Sequence, residues 1–169
     1  MPRIFVEFAR ACRNRALVVS NKSGLYELYA FDLVSSSLRQ VTHRPSGTFF
    51  SVISPDGRHI YYLDDKLGNE TGHFVRVSFE KKQESPQDLT PTLPPYSTLS
   101  CFIDGTSSHF GLTVPTQDGF DSYVVGLSGD SISEPRRLAR NSKATDGPIF
   151  SHDGKISVLS STERYGGLD

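Results

Sequence analysis

The chain has 169 residues, with 18 Lys plus Arg against 19 Asp plus Glu, a formal charge of −1. That is about one domain's worth of polypeptide, and the balance argues against nucleic acid or a membrane surface as partner, since both call for a basic excess. Only six alanines stand beside 14 Gly and 10 Pro, a composition of turns and strands rather than helices, and no apolar run reaches the ~18 residues of a membrane span.

Ile4 to Phe8 opens the chain as a short apolar segment. Glu7 and Arg10 interrupt it, so it lacks a signal-peptide core, and the sequence predicts a cytoplasmic protein. Arg3, Arg10, Arg13 and Arg15 read as the charged lead-in to a first structural repeat. Cys12 and Cys101 are too few and too far apart for a disulfide framework or a zinc site, and read as thiols in a reducing compartment.

Three strands follow in the first repeat: Ala16 to Ser20, Leu25 to Leu33 and Leu38 to Thr42. The second gives Phe49 to Ser54, Ile60 to Leu63, Phe74 to Phe79 and a short end at Leu89-Thr90. The third gives Leu99 to Ile103, His109 to Val114, Ser122 to Leu127 and Arg136 to Ala139. The last gives Gly147 to Ser151 and Ile156 to Ser160.

Two markers recur in step. Asp56-Gly57 returns as Asp104-Gly105 and Asp153-Gly154, and Val41-Thr42 returns as Leu89-Thr90 and Leu138-Ala139. Asp-Gly between apolar runs predicts a hairpin with a type I′ turn. Four-strand units at a period of ~40–50 residues predict a β-propeller. The fold class is thus all-β: one partial propeller domain over 1–169, with about three and a half four-stranded blades near 13–43, 48–91, 97–140 and 146–163. Ile4 to Phe8 could add one outer strand to the last repeat, which would still leave it incomplete.

At Ser54-Pro55-Asp56-Gly57 followed by Ile60-Tyr61-Tyr62, the chain resembles the WD-like blades of TolB-type proteins and of the prolyl oligopeptidase and dipeptidyl peptidase family. Ser151-His152-Asp153-Gly154 is similar to the same turn. Tyr29 to Leu33 with Leu38 to Thr42 is similar to the family's paired third and fourth strands, and Glu134 to Leu138 to the start of a fourth. The resemblance implies the amino-terminal propeller of a serine hydrolase, a domain that gates substrate while Ser, Asp and His lie in a separate α/β-hydrolase domain.

No catalytic residue carries over. The nucleophile elbow needs Gly-x-Ser-x-Gly, and Gly126-Leu127-Ser128-Gly129-Asp130 lacks the second Gly. His43, His59, His73, His109 and His152 show no metal-ligand spacing, and Asp64 to Glu70 misses the calcium-loop pattern, so no metal or cofactor is predicted. Tyr61-Tyr62, Phe49-Phe50 and Tyr96 read as core between blades, with an exposed binding rim as the alternative.

The expected role is therefore a non-catalytic propeller segment whose partner is an absent hydrolase domain. As part of a longer protein it would serve a serine-type peptidase. The alternative is a TolB-type or WD-like interaction module with a protein partner, and a small-molecule or metal-binding propeller enzyme ranks third. Open blade edges also predict self-association.

Overall fold

The computed structural model describes residues 2–65, 68–81, 85–98 and 100–162, and every regular element among them is a β-strand. The backbone divides into two compact units, Met1–Pro91 and Thr92–Asp169.

The first unit holds two antiparallel four-stranded sheets. One runs β1 (Ile4–Phe8), β2 (Arg15–Ser20), β3 (Glu27–Asp32), β4 (Ser37–Gln40), in that order. The other runs β5 (Ser51–Ile53), β6 (His59–Asp64), β7 (His73–Ser78), β8 (Gln87–Asp88). Side chains alternate across a strand, so Leu17, Val19, Leu28 and Ala30 form one face of the first sheet. They meet Ile53, Ile60, Tyr62, Val75 and Val77 of the second in a shared buried core.

β1 corrects the sequence reading. All five of its residues pair with β2, from Ile4 opposite Ser20 to Phe8 opposite Ala16, so it begins the first blade and adds no outer strand to the last. The connection is short and closes on itself: Ala9 N–H donates to Arg15 C=O at 2.9 Å, and Arg15 N–H to Cys12 C=O at 3.0 Å. Adjacent strands joined by so short a loop lose little entropy in pairing.

The second unit holds β9 (Ser100–Ile103), β10 (His109–Thr116), β11 (Gly119–Ser128), β12 (Ser131–Ile132) and β13 (Arg136–Asn141), with β13 and β12 both pairing β11. β14 (Thr145–Phe150) and β15 (Ser157–Ser161) form a two-stranded sheet. Gly111 makes room for that half-blade, because a Cβ there would stand 2.5 Å from Pro148 Cγ and 2.8 Å from Phe150. Thr113 Oγ1 donates across the same joint to Gly147 C=O at 2.6 Å, and Ser122 Oγ lies 2.9 Å from it.

The repeated turn is built alike in three blades, but in the third the Asp104-Gly105 pair lies two residues ahead of the position that Asp56-Gly57 holds. Ser54 N–H bonds His59 C=O, Gly57 N–H bonds Ser54 C=O, and Ser54 Oγ accepts from His59 N–H at 3.0 Å. Ser151 does the same with Ile156 and Gly154. In the third blade this place belongs to Asp104: its N–H bonds His109 C=O, its C=O accepts from Ser107 N–H, and its carboxylate accepts from His109 N–H at 3.1 Å. Asp104 therefore matches Ser54, not Asp56. The left-handed residue is Gly57 at φ 71°, Ser107 at 59° and Gly154 at 69°. Asp56 is not left-handed, so the turn is not type I′; a β-turn followed by one left-handed residue closes the hairpin.

Candidate functional site

One concave surface of the first unit lies at one end of its two sheets. Three links form a recess of about 260 Å³: Asn21 to Tyr26 between β2 and β3, Ser46 to Phe50 before β5, and Leu63 to Glu70 after β6. Residues 66–67 of that last link lie outside the described residues.

Local hydrogen bonds hold the links in place. Thr48 N–H donates to Tyr26 C=O at 2.6 Å, and Gly47 sits at φ 77°, where a Cβ would press on that carbonyl at 2.9 Å. Buried Glu27 accepts from Arg44 N–H at 2.6 Å and from Thr42 Oγ1. Arg44 in turn pairs with Asp64 and donates to Asp65 C=O. Asp65 accepts from Gly68 N–H at 2.8 Å and from Glu70 N–H. Burial pushes the Tyr62 phenol up, Arg44 opposing, so it stays neutral.

Aromatic rings line the mouth. Phe5 and Phe49 meet edge to face at 5.5 Å, Tyr26 and Phe49 at 5.5 Å, and Phe49 and Phe50 at 6.0 Å. Phe5, Phe49 and Phe50 are each about half exposed. Rings held by one another but open to water are the usual anchors of a binding surface. Phe49 and Phe50 are thus exposed at the edge of the recess, while Tyr61, Tyr62 and Tyr96 are core.

A second recess, of about 430 Å³, lies at the opposite end of the same sheets between Arg15, Asp32, Arg39, Phe79 and Glu80. Its cations are already engaged. Arg15 lies 4.9 Å over the Phe79 ring, donates to Gly57 C=O at 3.1 Å and pairs with Glu80, and Arg39 donates to Phe79 C=O. Arg15 is thus part of the joint between sheets rather than a free lead-in.

The remaining candidates are scattered. Ser128 ends β11 opposite Ser131, exposed at a tight turn. His73 Nδ1 lies 2.7 Å from Asp88, and His109 Nδ1 lies 3.1 Å from buried Asp104 while its ring stacks on Phe150 at 5.9 Å. His152 packs against Gly105, and His43 is exposed. Among the described residues no three His, Cys, Asp or Glu gather as metal ligands. Asp64 is tied to Arg44 rather than loose in solvent. Cys12 donates to Asn14 Oδ1 at 2.9 Å, and neither cysteine forms a disulfide.

Sequence reading missed one polar cluster. Buried Asp121 accepts from Arg140 Nε and Nη2, both at 2.7 Å, and from the Tyr123 hydroxyl at 3.2 Å. Facing register of β11 and β13 creates it, and nothing local in the sequence marks it.

No family model matches the chain, and no curated protein matches it. Solved structures do. TolB from Acinetobacter baumannii superposes with a TM-score of 0.64 at 17% identity, over 93% of this chain and 37% of that one. An oligogalacturonate lyase from Vibrio parahaemolyticus gives 0.67 at 13%, over 96% and 48%. A post-proline cleaving enzyme from Rickettsia typhi gives 0.65 at 9%, over 94% and 25%. The fold is a β-propeller of the TolB and prolyl oligopeptidase type. The chain spans between a quarter and a half of the length of these structures.

Proposed function

We propose that the chain is a non-catalytic propeller segment that receives a polypeptide at its aromatic recess and gates access to a hydrolase supplied elsewhere. One observation carries the reading. Phe5 belongs to β1 and Phe49-Phe50 lead into β5, the first strands of two neighbouring blades, and β1 and β5 touch. First strands surround the central channel of a closed propeller, which supports reading these half-exposed rings as the entry for a chain. Fold alone does not settle function, but a hydrophobic mouth with carboxylates Asp65 and Glu70 beside it suits an extended peptide better than a small polar solute.

The test is fluorescence anisotropy with fluorescein-labelled apolar peptides containing proline. Binding is expected, and Phe49→Ala is expected to weaken it about tenfold, the loss of one aromatic anchor. Unchanged affinity in both Phe49→Ala and Phe50→Ala would move binding away from the recess. Capture of folded proteins but not of peptides would favour the interaction-module reading.

A further inference from the structure

Two blade faces, one in each unit, carry exposed apolar stripes. In the first blade Ile4, Val6 and Phe8 share the face turned away from the second blade, because they alternate with Phe5, whose ring meets Phe49. They are 61%, 50% and 50% exposed. In the half-blade Ile149 stands opposite Val158, and Ile156 lies two residues before Val158 on the same side. These are 48%, 59% and 65% exposed. Phe150, on the other side of β14, stacks on His109, so this stripe faces away from the third blade.

Register makes both stripes counterparts of surfaces that already pack. Phe8 opposite Ala16 in β1–β2 corresponds to Ile53 opposite Ile60 in β5–β6, since Ala16 and Ile60 each directly follow the residue that closes the turn. Ile53 and Ile60 are core residues facing the first blade. Ile156 closes its turn as Arg15 does, so Val158 corresponds to Leu17, which faces the second blade in the same core. One stripe has the form of a receiving face and the other the form of the face received. Each stripe has a charge beside it on the same face: Asp146, opposite Ser160 in the half-blade, and Lys22, whose ammonium lies 4.4 Å over the Tyr29 ring in the first blade.

We propose that a second copy of the chain docks head to tail, with Ile149, Ile156 and Val158 of one copy packed on Ile4, Val6 and Phe8 of the next. The contact extends the blade-on-blade packing within each unit across two molecules. It uses sheet faces, not the open strand edges on which the sequence based its expectation of self-association. Its anchors are apolar side chains, so hydrophobic burial is its main driving force.

The test is size-exclusion chromatography with light scattering on the whole chain, on Val6→Glu and on Val158→Glu, with circular dichroism to confirm folding. Val6→Lys and Val158→Lys provide a second pair should a glutamate variant fail to fold. The wild type is expected to associate as concentration rises from micromolar to millimolar. Each variant alone is expected to run as a monomer. An equimolar mixture of the two is expected to regain a species of twofold mass, because each supplies the intact face the other lacks. A wild type that stays monomeric throughout overturns the proposal. So does association of Val6→Glu alone, the pattern of edge-to-edge pairing between two β15 strands, or a mixture that stays monomeric while the wild type associates.

Discussion

Arg140 sets its Nε and Nη2 against the two carboxylate oxygens of Asp121, each at 2.7 Å, across the β11–β13 ladder. Paired N–H donors on one carboxylate are the strongest common form of charged hydrogen bond. They hold the Asp121 carboxyl below its ordinary value, with burial opposing.

That depression has a sign. Stability from Asp121 is complete above the unfolded carboxyl value of ~4 and is lost as pH falls through the lower folded value. Asp121→Asn is expected to cost about 2 kcal/mol at neutral pH and to flatten this part of the acid loss. Urea unfolding of both proteins at neutral and acid pH checks it; equal stability and equal acid slopes would refute the coupling.

Gly154 and Gly129 both lie in the left-handed region, at φ 69° and 56°. A Cβ at Gly129 meets nothing within 4 Å, whereas one at Gly154 falls on Asp104 Oδ2 and His109 Nδ1. Gly129→Ala should therefore cost about 1 kcal/mol for backbone conformation. Gly154→Ala should cost about 3 kcal/mol, because it also displaces a buried, hydrogen-bonded carboxylate. Denaturant midpoints of the two variants decide it; equal losses would mean that the turn of the half-blade does not nest on the third blade.

Gly111→Ala places a methyl into Pro148 and Phe150. β14 and β15 should loosen from β10 before the rest of the sheet does. Hydrogen exchange read peptide by peptide is expected to rise over 145–161 with β10 and β11 still protected. Uniform exchange across the unit would show that the half-blade and its neighbour open as one.

The fold was largely legible because apolar strands and turn residues recur at a constant interval. Val41 and Leu89 do occupy one position, each donating its N–H to the third strand, at Leu28 C=O and Phe74 C=O. Two features hid for physical reasons. Ser107 takes the left-handed conformation that Gly57 and Gly154 take elsewhere, so the nearby Asp104-Gly105 drew the marker two residues off. The Ala9 to Asn14 turn carries no Asp-Gly, which concealed the pairing of β1 with β2. The candidate site was less legible still. Phe49 and Phe50 have the look of strand core, and only the position of Gly47 against Tyr26 brings them to the surface.

The role proposed for the chain is to hold polypeptide without cutting it. Its most direct test is to incubate the purified chain with a defined mixture of proline-containing peptides and read every mass by mass spectrometry. Peptides of unchanged mass are expected, with retention that depends on Phe49. Cleavage that scales with the amount of chain and stops with a serine-directed reagent would contradict it.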